Sequence, residues 1–237
     1  MSLQQQLSTI FGHDITIDIK RVITLKSIAI KVQGKVITIK VPFFLNNKSI
    51  EELISKKNNW IRKQLNTQSK FKLFKKKSYI SDEKFLYLGR YYKLRIIGDK
   101  KNSVNIEGDF LKLKVKNEKN ISKIKKIIKE WFYEKSFEYF NKETYDCAKK
   151  NNLDIKSIKV RQYKARWGSC SINGDISFNW RLIMAPPKII EYVIIHELMH
   201  IKEHNHSSKY WEHVRLLYPN IKEAKEWLMH NGQTLNI

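Results

Sequence analysis

Cysteine is nearly absent. Cys147 and Cys170 are the only two in 237 residues, so neither a disulfide framework nor a CxxC metal clamp is available. That excludes the small stapled folds of secreted proteins and points to a reducing compartment, the cytoplasm. No apolar run reaches the length of a membrane span, and the opening MSLQQQLSTIFGHD has neither the basic nor the apolar region of a signal peptide. The expectation is a soluble, cytoplasmic protein with no membrane partner. No internal repeat, low-complexity linker or glycine-rich phosphate loop is present. Acidic residues are scarce, 23 against 46 basic ones, for a formal charge of +23. Such a surplus suits nucleic acid, through counterion release. It equally suits compositional drift, because the chain is also rich in Ile and Asn and most lysines stand singly on faces where a charge is merely solvated. One cluster stands apart: Lys70, Lys72, Lys75, Lys76 and Lys77 interleave with Phe71 and Phe74, a mix able to grip a phosphate backbone and stack bases.

Histidine, by contrast, is concentrated. Five of the seven fall within eighteen residues, and His196, Glu197 and His200 form HELMH, followed by His206. Residues four apart share one helix face, so His196 and His200 can direct ring nitrogens at one metal about 2.0–2.1 Å away. Glu197 then sits beside that metal, placed to take a proton from metal-bound water. Pro186-Pro187 suits a helix start, and Ile189, Ile190, Val193, Ile194 and Leu198 supply an apolar stripe at helical spacing. A buried helix with two histidines and a glutamate leaves polar groups unpaired unless something binds them.

A third ligand cannot lie further along the same helix. His204 would stand two turns on from His196, about 12 Å away at 1.5 Å per residue. His206 meets the need if the helix ends near Glu203 to Asn205 and the chain folds back, with Asn205 accepting a left-handed conformation. The spacing equals that of the metzincin motif HExxHxxGxxH, yet Glu203 replaces the glycine and no Met-turn follows. His213 is the runner-up ligand. Zn2+ is the cofactor implied.

The remaining pattern predicts an α+β fold. Residues 1–120 read as a mainly antiparallel β region with one helix, and residues 121–237 as a zincin-like catalytic region whose HExxH helix packs on a small sheet. Ile28, Ile30 and Val32, then Ile37, Ile39 and Val41, alternate as a half-buried hairpin does. Ser49 with Glu52 reads as a capping box for a helix carrying Ile50, Leu53, Ile54, Trp60 and Ile61. Strands are predicted at Phe85–Leu88, Tyr91–Ile97, Val104–Ile106 and Phe110–Val115, and a long aromatic-rich helix over about Ile121 to Asn151. In the catalytic part, strands are predicted at Ile155–Val160, Arg166–Ser171 and Ile176–Leu182, the last two joined by a type I′ turn at Asn173-Gly174. Tyr210, Trp211, Val214 and Leu217 mark one helix face, and Asn220 with Glu223 caps a last helix ending near Gly232.

The stretch from Arg166 to Val214 resembles the core of the YgjP-like metallopeptidase family, related to SprT-like and WSS-type zinc proteases. The resemblance rests on RWGSC at Arg166–Cys170, NWRL at Asn179–Leu182, APP at Ala185–Pro187, YVxxHELxH at Tyr192–His200 and NHSSKYW at Asn205–Trp211. Tyr210 stands where the family often has phenylalanine. The resemblance implies that His196, His200 and His206 hold zinc and that Glu197 is the general base.

The expected activity is that of a zinc-dependent hydrolase, foremost a metallopeptidase acting on peptide or protein. The rivals are a phosphoester or nucleotide hydrolase at the same centre, and a nucleic-acid-binding module with structural zinc. Three histidines plus a glutamate leave a position open, whereas structural zinc usually takes four protein ligands, commonly with cysteine. Arg166, Arg181 and Tyr163 are candidates to stabilise oxyanion charge. The strand beside the zinc is a candidate to pair with an extended substrate. Cys170 reads as a small core residue rather than a nucleophile.

Overall fold

The computed structural model describes residues 7, 9–12, 14–25, 27–33, 35–69 and 77–237. The fold is α+β, and the chain divides into two compact units, residues 1–74 and 75–237.

In the first unit, β1 (Thr16–Val22), β2 (Ala29–Gln33) and β3 (Val36–Pro42) form a sheet ordered β1-β3-β2. The isoleucine alternation fixes the register: Ile30 faces Ile39 and Val32 faces Ile37 across the antiparallel β2–β3 pair, while β1 runs parallel to β3. Helix α1 (Asn47–Ser69) follows. Its start differs from the predicted capping box. The Asn46 side chain accepts from the Ser49 amide at 2.8 Å, so Asn46 is the cap and Ser49 already lies inside the first turn. The buried stripe is Ile50, Ile54 and Ile61, whereas Leu53 and Trp60 are exposed.

The second unit begins with a four-stranded sheet, β4 (Lys84–Tyr87), β5 (Arg90–Gly98), β6 (Ser103–Glu107) and β7 (Phe110–Val115), ordered β4-β5-β7-β6. Among the described residues of the first 120, three of the five strand pairings are antiparallel. Helix α2 (Ile121–Lys150) is capped by the Asn120 side chain and buries Ile124, Ile128, Trp131, Phe132 and Phe140. These side chains share one apolar core with Phe85, Leu94, Leu111, Leu113 and Val115 of the sheet, and with Phe178, Trp180, Ile190 and Leu198 further along the chain. The compact units part at 74/75, because the second sheet has its apolar face in the same core as α2 and the helices that follow it.

The second unit contains a further small sheet, ordered β8-β10-β9, from β8 (Ser157–Arg161), β9 (Gly168–Cys170) and β10 (Asp175–Asn179), with β9 at an edge. The β9–β10 loop is not a type I′ turn. Gly174 donates to the Ser171 carbonyl at 3.0 Å, and Gly174, not Asn173, has positive φ, +79°. That is a three-residue loop ending in a left-handed glycine. The run predicted as strand through Leu182 stops at Asn179, and Trp180–Met184 forms a 3₁₀ turn. Asn179 causes the break: its Oδ1 accepts from the Arg181 amide, and its Nδ2 donates to the Tyr163 and Arg166 carbonyls. Ser136 of α2 ties this turn down by donating to the Trp180 carbonyl at 2.9 Å.

Helix α3 (Pro187–Met199) starts behind Pro186, with proline at its first position where a missing N–H costs nothing. The amides of Leu88 and Gly89 donate to the carbonyls of Ile183 and Met184, fixing the entry to α3. Two further helices, α4 (Ser208–Leu217) and α5 (Ile221–Asn231), complete the unit. Asn220 precedes α5 without a side-chain capping bond, so the predicted Asn220–Glu223 cap does not form.

Candidate metal centre

Helix α3 carries almost no polar residue on its inner side. Ile189, Ile190, Val193, Ile194, Ile195, Leu198 and Met199 are all buried, and this burial holds His196 and Glu197 at fixed positions against the small sheet. The helix ends earlier than predicted, at Met199, with His200 as its C-cap (φ −66°). A tight turn follows, closed by the Lys202 and Glu203 amides donating to the Met199 carbonyl. No left-handed residue is needed, since Asn205 is not among the positive-φ positions. Its side chain instead accepts from the Ser207 amide at 3.0 Å, and Ser207 in turn caps α4 through the Tyr210 amide. The chain thus reverses between His200 and Ser207, and His206 comes back over α3.

His196, His200 and His206 each offer a ring nitrogen, and these atoms all lie within 4.8 Å of one another. His204 and His213 stand outside this group. The Nε2 atoms of His196 and His206 are 3.3 Å apart. A tetrahedron with bonds of about 2.0–2.1 Å has edges of about 3.3–3.4 Å.

The partners of the other ring nitrogens assign the tautomers. His200 Nδ1 lies 3.1 Å from the Glu203 carbonyl oxygen, which can only accept, so Nδ1 carries the proton. Tyr210 places its hydroxyl 2.8 Å from the His196 carbonyl and 2.7 Å from His196 Nδ1. One hydroxyl has one proton. It donates to the carbonyl and accepts from Nδ1–H, which leaves Nε2 of His196 with its lone pair free, as a metal ligand requires. Burial, with the neighbouring His200 and His206, depresses the His196 pKa from 6.5 to about 3. Burial likewise lowers that of His200. Both rings are therefore neutral at pH 7.

Glu197 is 5% exposed. Burial pushes its carboxyl from 4.5 up to about 8, with Arg166 pulling the other way. Edge strand β9 passes directly against it: a Cβ on Gly168 would lie 2.5 Å from Glu197 Oε1. His196, Glu197, Gly168, Arg166 and Lys225 line one cavity of about 270 Å³.

Of the residues considered for oxyanion charge, Arg166 alone lines this cavity. Tyr163 hydrogen-bonds Ser169 Oγ at 3.1 Å, and Arg181 belongs to the adjoining cavity. Lys225 was not legible from sequence. It reaches the site from α5, its Nζ 3.6 Å from the centroid of Trp211, and no motif connects it to HELMH. Cys170 is a free thiol whose pKa is raised to about 11 by burial and then by Glu197, the opposite of what a nucleophilic thiolate needs.

The lysine and phenylalanine positions from 70 to 76 lie outside the described residues. Lys77 is occupied within the fold, donating to the Lys84 carbonyl and sitting over the Phe85 ring at 4.9 Å. Among the described residues no helix is long and apolar enough to cross a membrane.

Three converging histidine nitrogens beside a buried carboxyl are the arrangement found in HExxH metal-dependent hydrolases. The chain belongs to the YgjP-like family: the family model described as "YgjP-like, metallopeptidase domain" matches residues 26–231. Among solved structures it is similar to the metallopeptidase zymogen abylysin of Pyrococcus abyssi, at 22% identity over 40% of this chain and 95% of that one, with a TM-score of 0.37. No curated protein matches.

Proposed function

We propose that this chain is a zinc-dependent peptidase of the cytoplasm in which His196, His200 and His206 hold the metal and Glu197 is the general base. The observation that carries the reading is the convergence of three ring nitrogens with two tautomers already fixed by Tyr210 and Glu203. Those residues fit zinc in number, donor type and spacing, and the set leaves a position open. Zinc held by these three histidines would supply Lewis acidity at the site.

The chain's own groups supply the rest. Glu197, in a buried and nearly neutral-poised site, accepts the proton of the attacking water and returns it to the leaving amine. The free edge of β9 offers backbone N–H and C=O groups to an extended substrate, binding it with little sequence preference. Arg166 and Lys225, in the same cavity, face the charge that develops on the scissile carbonyl. Two free cysteines suit a reducing compartment.

The test compares wild type with Glu197→Gln in cleavage profiling of a whole proteome. The amide is nearly isosteric and is not a ligand, so the variant is expected to keep its metal while the rate falls by roughly 10²–10⁴. Full cleavage by metal-loaded Glu197→Gln would remove the base, and no cleavage by wild type at all would remove the peptidase.

A further inference from the structure

Beside the metal centre lies a larger cavity, about 510 Å³, that shares Arg166, Trp167 and Leu228 with the cavity of His196 and Glu197. Lys164, Arg166 and Arg181 line it, and among the described residues no Asp or Glu does. In a chain with 46 basic and 23 acidic residues, three cations alone would decide little. Arg181 decides more. Its guanidinium is half-buried between the core and the cavity, stacked 4.9 Å from the Trp180 ring centroid, with Nε donating to Asn236 Oδ1 at 3.1 Å. Its terminal nitrogens have no acceptor among the described residues, and no carboxylate pairs with it there. Withdrawing a cation from water without a counter-charge is costly, while its free fork matches the two oxygens of a carboxylate.

We propose that this cavity is a subsite for a carboxylate of the substrate peptide, held bidentately by Arg181 with Lys164 and Arg166 at its mouth. The inference rests on the peptidase reading for its substrate and deepens it: the preferred peptides carry an acidic side chain, or a free C-terminus, a few residues from the bond that is cut. Sequence alone offers Arg181 only as one of three candidates, with Arg166 and Tyr163, to stabilise oxyanion charge. Its assignment comes from the Trp180 stack, the Asn236 tether and the absence of an acidic neighbour among the described residues.

The test uses the full chain, zinc-loaded, with Glu197→Gln to prevent turnover. Fluorescent octapeptides carry one Glu stepped along the sequence, with Gln counterparts, blocked ends, and a third series with a free C-terminus. At least one Glu position, or the free C-terminus, is expected to bind about 10-fold or more tighter than its neutral counterpart, the scale of charge-assisted hydrogen bonds. Adding Arg181→Gln should erase that ratio. Arg181→Lys, which keeps charge and loses the fork, should retain part of it, and Lys149→Gln on the exposed side of α2 should retain all of it. The proposal is overturned if no carboxylate is preferred, if the preference survives Arg181→Gln, or if Lys149→Gln weakens it equally. It is also overturned if single-stranded DNA displaces the acidic peptide with the same dependence on Arg181, since the cavity then takes phosphates. Wild type run on the same peptides separates the two readings. Cleavage without carboxylate preference sinks the subsite alone, and preference without cleavage sinks the peptidase alone.

Discussion

The Tyr210 hydroxyl spans the backbone and side chain of His196, donating to the carbonyl and accepting from Nδ1. It does so from a fully buried position on α4, which makes the first ligand's orientation depend on a different helix. Phenylalanine, common here in the related pattern, would leave the buried Nδ1–H without an acceptor. Tyr210→Phe is expected to weaken zinc binding by about 10–100-fold with the fold intact, as read by chelator competition, and an unchanged zinc affinity would show the hydroxyl to be idle. Glu197 gives a second expectation, for the metal-free protein. Its folded pKa of about 8 lies above its ordinary 4.5 because of burial, so between those values the folded chain holds a proton that the unfolded chain has released. Stability from this group is present at low pH and is lost as pH rises towards 8. His196, lowered to about 3 chiefly by burial, works oppositely below pH 6.5, where the unfolded chain takes up the proton. Metal-free Glu197→Gln should therefore exceed metal-free wild type in stability by a margin that widens from pH 4.5 to 8, at most about 1.4 kcal/mol per pH unit. Denaturant unfolding in chelator at several pH values checks this, and a margin that does not change with pH would contradict it.

At the scale of elements, the site depends on β9 lying flush against α3. Gly168 has no side chain, and an added methyl would fall 2.5–2.7 Å from the Glu197 carboxyl and Cγ. Gly168→Ala is expected to cost about 1–3 kcal/mol of stability, as overpacking does, and to lower turnover by displacing Glu197 while zinc stays bound. Comparing melting temperature, metal content and cleavage rate checks it, and a variant equal to wild type in rate would mean that strand and helix stand further apart. Elements whose signal is local were legible in the sequence. The helix at Pro187, the β2–β3 hairpin and the pairing of His196 with His200 follow from one-turn or two-residue periodicity. Boundaries decided by a side chain reaching elsewhere were not: Asn179 breaks the strand read as continuing to Leu182, and Asn46 displaces Ser49 as cap. Lys225 and the Tyr210 bond arise where α4 and α5 meet α3, a tertiary fact that spacing does not encode.

Across the whole molecule, the charge of +23 is mostly surface. The ion pairs among the described residues are largely exposed ones such as Lys35–Asp14 and Lys126–Glu130, each contributing little. The chain's organisation is a matter of its cores instead: one cluster gathers the first sheet and α1, another the second sheet, α2 and the metal-centre helices. The strand-to-helix change read at 120/121 is local, while packing gathers β4–β7 into one core with α2 and the metal-centre helices. The central claim concerns the metal centre of that second unit, and metal content by mass spectrometry tests it most directly. Wild type should carry about one zinc per chain and His206→Ala should lose most of it, while His204→Ala, outside the cluster, should keep it. If His204→Ala strips the metal and His206→Ala leaves it bound, the three-histidine assignment is contradicted.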